Sequence, residues 1–70
     1  MGYVPGRCLL KKRLREIRQN QQWLAGELNM PKAQISDYAN NRKVMSLATA
    51  KTIAVTLGCY IDDLYDFNKQ

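Results

Sequence analysis

Apolar residues recur along the chain at the spacing of α-helices. Leu10, Leu14 and Ile17 repeat at i, i+4 and i+7, which places them on one face of a helix over residues 7–18. Similar stripes follow in the rest of the chain, and no segment keeps the alternation of a β-strand. The pattern therefore predicts an all-α fold with five short helices.

Residues that start and end helices divide the middle of the chain into two helices joined by a tight turn. Asn20 is a suitable N-cap, and Asn29 tolerates the left-handed conformation of a helix C-terminus. Pro31 suits the first turn of the next helix, because its missing N–H would be unpaired there anyway. The side chains expected to be buried in this pair are Leu24, Ala25, Leu28, Met30, Ile35 and Tyr38.

Two further helices are expected after an Asn-rich corner. Ser46 is the expected N-cap of a fourth helix, which Gly58 ends. Ile61 begins a short fifth helix, and Asp62 and Asp63 suit the positive N-terminal end of its dipole. The expected divisions are a flexible N-terminal arm at residues 1–6, a folded domain at residues 7–67 and a C-terminal tail at residues 68–70.

The charge of the chain is basic and uneven. The 70 residues carry 11 Lys and Arg against 6 Asp and Glu, for a net charge of +5. Residues 1–18 are the most basic segment, whereas residues 59–70 are acidic overall. One basic face favours an anionic partner such as nucleic acid, and a solvated basic helix is the alternative interpretation. No apolar window is long enough for a membrane span, so no membrane partner is expected.

The residue types exclude most catalytic chemistry. The chain has no His and two Cys, Cys8 and Cys59. A zinc site needs four N or S ligands and Cys–His catalysis needs His, so no metal, no cofactor and no enzyme activity are expected. A domain this small leaves little room for a deep pocket, so no small-molecule substrate is expected. Both thiols are interpreted as reduced and structural, with a disulfide between them left open.

Three short motifs lie in a fixed order along the chain. They are "NQQWLA" at residues 20–25, Leu-Gly at residues 57–58 and Asp-Asp-Leu at residues 62–64. They resemble Thr-Gln-Glu-Glu-Leu-Ala, Leu-Gly and Asp-Glu-Leu of the Xre/Cro/cI family of phage and bacterial helix-turn-helix regulators. The resemblance covers residues 9–65 and places the helix-turn-helix at residues 20–39. It implies a lambda-repressor-like DNA-binding domain.

The sequence departs from the family pattern at three positions. Asn29 stands where the family has Gly, Pro31 where it has a Ser or Thr cap, and Ala39 where it has Glu at the end of the third helix. In relatives that Glu pairs with an Arg near the end of the first helix, which Arg15 matches. Arg15 is therefore expected to be free to approach a phosphate, or to be solvated.

The resemblance implies that the third helix reads bases. Lys32 would donate to guanine O6 and N7, and the Ala33 methyl would touch a thymine methyl. Surface solubility and helix propensity are the alternative explanations for these two residues. The further base-reading candidates are Gln34, Ser36 and Asp37. For Gln34 the alternatives are a bridge to Gln21 or simple solvation, and for Asp37 a place at the groove edge that rejects wrong sequences.

The resemblance and the charges also suggest contacts to the DNA backbone. Gln21 matches the phosphate-positioning Gln of the family, and it lies at a helix N-terminus, which favours anions. The phosphate candidates are Arg15, Gln21, Asn40, Arg42 and Lys43. Asn40 and its neighbour serve only as a helix stop in the alternative interpretation. Arg7, Lys11 and Lys12 are expected to add long-range attraction, or to form a solvated helix face.

Apolar residues near the C-terminus are more numerous than a small core needs. The dimer-interface candidates are Tyr60, Ile61, Tyr65 and Phe67. The resemblance implies that this end pairs two subunits on a pseudo-palindromic operator in duplex DNA, as a homodimer at least on DNA. The alternative is that these side chains close the core of the monomer.

The sequence therefore predicts a sequence-specific, double-stranded-DNA-binding transcriptional regulator. A Cro-like phage or prophage repressor that occupies its operator fits best, in the cytoplasm of a bacterial host and associated with the nucleoid. The alternative function is a protein-interaction module of the same fold, such as an antitoxin-like or antirepressor-like partner binder.

Overall fold

Four α-helices and one small sheet make up the fold in the computed structural model, which describes residues 2–69. The elements in chain order are β1 (Tyr3–Cys8), α1 (Leu10–Glu16), α2 (Gln21–Leu28), α3 (Lys32–Ala39), α4 (Leu47–Leu57), a 3-10 turn (Ile61–Asp63) and β2 (Tyr65–Lys69). The fold is helix-rich, with the helix-turn-helix in the expected place.

The two ends of the chain correct the all-α prediction. Most of the segment expected to be a flexible arm forms β1, which pairs antiparallel with β2 at the other end of the chain. Tyr3 lies opposite Lys69 and Cys8 opposite Tyr65, with an irregularity between Pro5 and Cys8. Pro5 interrupts the strand pattern in the sequence, and pairing between chain ends leaves no local periodicity. Met1 of the expected arm and Gln70 of the expected tail lie outside the described residues.

The first and last expected helices are shorter than predicted. α1 begins at Leu10 instead of Arg7, because the preceding residues belong to β1. The expected fifth helix is a single 3-10 turn. The Asp63 carboxylate accepts a hydrogen bond from the Tyr60 N–H at 2.9 Å, which closes this turn on itself. Four α-helices, rather than five, are therefore found in the described residues.

The predicted helix caps are confirmed, except that Pro31 lies just before α3, with an extended backbone, instead of in its first turn. Asn20 Oδ1 accepts a hydrogen bond from the Trp23 N–H at 2.8 Å at the start of α2. Ser46 Oγ accepts one from the Thr49 N–H at 3.2 Å at the start of α4. Asn29 adopts the left-handed conformation at the end of α2, with φ 54°. These caps fix where α2 and α4 begin and where the chain turns toward α3.

One apolar core joins all the helices. Its fully buried side chains are Leu10, Leu24, Ile35, Ile53 and Leu64. Of the residues expected to be buried in the helix pair, Leu24, Ala25, Ile35 and Tyr38 are buried, whereas Leu28 and Met30 are half-buried against the core. Ile17 was expected to be inside and is 38% exposed, because α1 ends before it.

Gly6 lies at a close approach between the two strands. A Cβ at this position would meet the main-chain oxygen of Asp66 and the side chain of Asn68, so β2 would have to shift. We expect Gly6→Ala to lower the free energy of unfolding by about 1–3 kcal/mol, measured by thermal denaturation. Gly26→Ala in α2 is the matched control, since its Cβ would meet nothing within 4 Å. It should be neutral or stabilising by up to about 1 kcal/mol, and equal melting temperatures would contradict the close approach.

Candidate nucleic-acid interface

The turn between α2 and α3 is built from backbone hydrogen bonds and a half-buried side chain. The Met30 N–H donates to the Ala25 carbonyl at 3.0 Å, and the Asn29 N–H donates to the Gly26 carbonyl at 3.3 Å. Met30 also packs against the core. The left-handed Asn29 and these bonds hold α3 at a fixed angle to α2. α2 and this turn therefore hold α3 in place with its outer face toward solvent.

The N-terminus of α3 shares one surface with the N-terminus of α2. Lys32 and Ala33 are both exposed. Lys32 lines a surface cavity of about 340 Å³ together with Asn20, Gln21 and Gln22. The structure thus brings the base-reading candidate Lys32 beside the phosphate candidate Gln21.

Gln34 lies on the inner side of this face. Its Nε2 donates to the Tyr38 hydroxyl at 3.1 Å, and the side chain is half-buried. The structure does not form the alternative bridge to Gln21; Gln34 instead bonds one turn ahead on its own helix.

The corner after α3 is organised by two side chains of α3. Asp37 Oδ1 accepts from Arg42 Nε at 2.9 Å, and Asp37 Oδ2 lies 3.9 Å from Lys43 Nζ. Ser36 Oγ accepts from Asn40 Nδ2 at 3.1 Å and from the Arg42 guanidinium at 3.3 Å. The Asp37 carbonyl also accepts the N–H groups of Arg42 and Lys43, at 2.8 and 3.2 Å. We define the Asp37, Arg42 and Lys43 side chains as the corner triad.

Asn41 has a structural role beyond the helix stop that the sequence indicated. Its φ is 62°, and its Oδ1 accepts the Cys8 N–H at 2.8 Å. This bond ties the corner to the end of β1. An Asn just past a helix C-terminus indicates a left-handed turn, but its partner on β1 has no signal in the sequence.

A basic cavity of about 470 Å³ lies between α1, the end of β1 and the end of α3. It is lined by Arg7, Lys11, Lys12 and Arg15 on one side and by Ala39, Asn40 and Asn41 on the other. Lys11 Nζ donates to Asn40 Oδ1 at 2.6 Å. The exposed Arg15 lines the same cavity as the small Ala39. Four cationic residues from the end of β1 and from α1 thus line one cavity with the corner that follows α3.

A third cavity, of about 270 Å³, joins the other two. It shares Lys11 and Arg15 with the basic cavity, and Asn20 and Gln21 with the cavity beside Lys32. No acidic residue lines any of the three within residues 2–69. We call this continuous surface the basic strip; its principal polar residues are Arg7, Lys11, Lys12, Arg15, Asn20, Gln21, Gln22, Lys32, Asn40 and Asn41.

Arg13 is a basic residue of α1 that lies outside the strip. Its Nε donates to the Asp63 carbonyl at 2.6 Å, and its guanidinium pairs with Glu16 at 3.2 Å. Arg13 therefore holds α1 to the 3-10 turn, whereas Lys11 and Arg15 line the cavities. The division separates the structural cation of α1 from the cations that an anion can reach.

The two cysteines are free thiols. Burial raises the pKa of Cys8. Burial also raises the pKa of Cys59, and the nearby Asp63 carboxylate adds a smaller increase. Both groups therefore stay protonated at neutral pH, as expected of structural thiols. Residues 2–69 bring together no group of three or more His, Cys, Asp or Glu side chains that could hold a metal ion.

The four dimer-interface candidates divide into exposed and covered residues. Tyr60 is 81% exposed and Phe67 is 37% exposed, whereas Ile61 packs half-buried against the core. Tyr65 is buried, its hydroxyl accepts the Met45 N–H at 3.1 Å, and burial raises its pKa. The structure therefore uses Tyr65 to close the core. The apolar side chains that the sequence reasoning missed on this surface are Tyr3, Val44 and Leu47.

The fold and the comparisons agree on the class of protein. Residues 9–70 match the model of the Cro/C1-type HTH DNA-binding domain. The match covers most of the chain, so the chain belongs to this family of helix-turn-helix DNA-binding domains. The resemblance drawn from the sequence motifs is thereby confirmed.

One curated relative extends over nearly the same length. The chain is 42% identical over 65 residues to the "SPbeta prophage-derived uncharacterized HTH-type transcriptional regulator YopS" of Bacillus subtilis (strain 168), with 89% of this chain and 85% of the relative covered. No solved structure matches the chain significantly. Among the helices within residues 2–69, none has the length and apolar character needed to cross a bilayer.

Proposed function

We propose that the protein is a sequence-specific regulator of transcription that binds double-stranded DNA and represses by occupying its operator. The observation that carries the proposal is the basic strip, which starts at the exposed N-terminus of α3 in a Cro/C1-type domain. Because a polyanion must approach this surface, the absence of acidic lining residues in the described part of the chain favours DNA. The prophage-derived relative supports a phage or prophage origin, with action on the nucleoid in the bacterial cytoplasm.

Base reading is assigned first to the exposed start of α3. Lys32 donates to guanine O6 and N7, and Ala33 contacts a thymine methyl. Gln34, Ser36 and Asp37 are engaged in bonds within the protein, so a base contact by any of them requires those bonds to rearrange or to be shared. Lys32 is therefore the residue whose loss should change sequence preference most.

Backbone contacts are assigned to the strip and the corner. Gln21 lies in the first turn of α2, where main-chain N–H groups favour an anion. Arg15 lines the basic cavity and offers donors to phosphate oxygens, whereas Asn40 lines it with an amide group that already donates to Ser36 and must give up one of those bonds to contact a phosphate. Arg42 and Lys43 flank the end of α3 and contact the backbone beyond it. These contacts position α3 and supply most of the salt-dependent affinity.

A second copy of the chain is proposed to pair through the exposed apolar surface. Tyr60, Phe67, Tyr3 and Leu47 contribute exposed apolar area. Tyr65 supports Phe67 from the core side, with ring centroids 5.9 Å apart. A two-fold dimer would place two α3 helices about 34 Å apart, one turn of duplex, on a pseudo-palindromic operator.

The same apolar surface favours a second candidate function, a protein-interaction module of the antitoxin-like or antirepressor-like kind. Two cavities lie along this surface, one between Tyr3 and Phe67 and the other between Leu47 and Phe67, and neither shares a lining residue with the basic strip. Gel filtration with and without a duplex separates the candidates. Co-elution of protein with duplex supports the regulator, whereas elution unaffected by any duplex favours the interaction module.

Lys32→Ala tests the base-reading assignment. We expect it to weaken binding to a duplex selected by the protein by about 10- to 100-fold, because one bidentate base contact is lost. The affinity for random duplex should fall only by the small amount that the loss of one positive charge causes. Lys51→Ala on the exposed face of α4 is the matched control and should change neither affinity. Titration by fluorescence anisotropy gives both numbers, and an equal loss on both duplexes would refute base reading by Lys32.

A further inference from the structure

Asp37 is the one acidic residue of α3, the helix that the proposed function places in the DNA groove. A carboxylate there is repelled by phosphates whatever the base sequence. Its position in the fold is specific, since it contacts both cations of the corner that follows α3. The question is what this arrangement does for a DNA-binding surface.

We propose that Asp37 holds down affinity for DNA of arbitrary sequence by tethering Arg42 and Lys43 at the corner. The tether neutralises one of their two positive charges. It also fixes the Arg42 guanidinium, whose Nε bonds to Asp37 at 2.9 Å while a terminal nitrogen bonds to Ser36 at 3.3 Å. Asp37 is thus a specificity-determining residue that acts through its neighbours, and this role rests on the proposed DNA-binding function.

Stability alone does not account for these ion pairs. The Asp37 side chain is 28% exposed, but its partners Arg42 and Lys43 are 61% and 63% exposed, and pairs whose cations face water contribute little to folding. The main chain already holds the corner, because the Asp37 carbonyl accepts the N–H groups of both residues. The carboxylate therefore adds charge control rather than the turn itself, and its removal should leave the fold in place.

The tether acts differently on random and specific DNA. Binding to random DNA comes almost wholly from cations that neutralise phosphates, in any register that the chain can reach. A tethered Arg42 reaches phosphates in only a few registers of the protein on the duplex. Arg42 therefore contributes little to the affinity for random DNA. In the operator complex the register is fixed by the base contacts of α3. A guanidinium has five N–H donors, so Arg42 can keep its protein bonds and still donate to one well-placed phosphate.

Asp37→Asn is the direct test. The variant should bind random duplex about 5- to 10-fold more tightly at 0.1 M salt, with a salt slope steeper by about one unit, because about one more phosphate is neutralised. Affinity for a selected operator should stay within about 2-fold, so the ratio of specific to random affinity falls. Anisotropy titrations over a salt series measure all three values.

Asp66→Asn is the matched control, because it removes the same charge from an exposed residue of β2 that lines neither the basic strip nor the cavities of the apolar surface. It should leave the random-duplex slope unchanged. An equal effect of Asp66→Asn and Asp37→Asn would show that only the net charge matters, and no gain with Asp37→Asn on random duplex would overturn the tether. Equal gains on random duplex and operator would overturn the specificity role.

Asp37→Asn in an Arg42→Ala background provides a second readout. The gain in affinity for random duplex should be clearly smaller there than in the unmodified protein, because the cation that the tether holds most closely is already absent. An undiminished gain would show that Asp37 acts by repelling phosphates directly and would refute the tether. If the unmodified protein bound no duplex, both the proposed function and the tether would be rejected. If it bound duplex and the variants bound with the same affinity and salt slope, only the tether would be rejected.

Discussion

Replacing Lys11 and Arg15 together by Glu should weaken binding to any duplex DNA by about 100-fold or more at 0.1 M salt. Both residues line the junction between two cavities of the basic strip, so the variant reverses two charges at its centre. The loss should be similar for operator and random duplex, since phosphates carry no sequence information. The salt slope should flatten by about two units, measured by anisotropy titration over a salt series.

The control for this variant carries the same change of net charge elsewhere. Lys51→Glu with Lys69→Glu alters two exposed residues that line none of the strip cavities. We expect it to lose only the weak long-range share of the affinity, about 10-fold or less. Circular dichroism establishes that both variants are folded. Equal losses of affinity in the two variants would contradict a localised DNA-binding surface and would show that affinity depends only on the net charge.

Truncating Leu64, one of five fully buried large side chains, should strongly destabilise the fold. Leu64 is 0% exposed, and its carbonyl accepts the Leu9 N–H at 2.7 Å, so it joins the 3-10 turn to the start of α1. We expect Leu64→Ala to lower the free energy of unfolding by about 3 kcal/mol, because it opens a cavity in the core. For a domain of this size the melting temperature should fall by about 10–20 °C in a calorimetric or dichroism scan.

Leu47→Ala makes the same substitution at the surface. Leu47 is 76% exposed at the start of α4, so its truncation removes little buried area. The melting temperature of the monomeric protein should change by no more than about 2 °C. If Leu47→Ala were as damaging as Leu64→Ala, the assignment of the core would be wrong.

The predictable part of the fold is the part encoded by local chemistry. Asn20, Ser46 and Gly58 mark helix ends because their side chains or backbone freedom satisfy groups that the helix leaves open. The apolar stripes that include Leu24 in α2 and Ile35 in α3 predicted the buried faces of these two helices, because helical periodicity is set by residues a few positions apart.

The unpredicted part depends on contacts between distant segments. β1 contains Pro5 and forms only because it meets β2 at the other end of the chain. The basic cavity in turn needs β1, since Arg7 comes from its end and faces the Asn-rich corner. A basic face on the first helix was predicted from the sequence, whereas the cavity that this face forms with Arg7 and the Asn-rich corner requires the tertiary fold.

Asp37 shows the same limit for the candidate site. Its place on the outer face of α3 was predictable from helix periodicity. Its pairing with Arg42 and Lys43 depends on the path of the corner, where Asn41 takes a left-handed conformation and bonds to β1. The sequence left the carboxylate as a base reader or a groove-edge residue, and the structure adds two cationic neighbours.

Selection of bound sequences from a pool of random duplexes tests most directly whether this chain binds double-stranded DNA sequence-specifically. We expect enrichment of one pseudo-palindromic site with half-sites about one duplex turn apart. The recovered duplex should bind about 1,000-fold or more tightly than random duplex at physiological salt. A pool that stays random after repeated rounds, or binding that is equal for all duplexes, would contradict it.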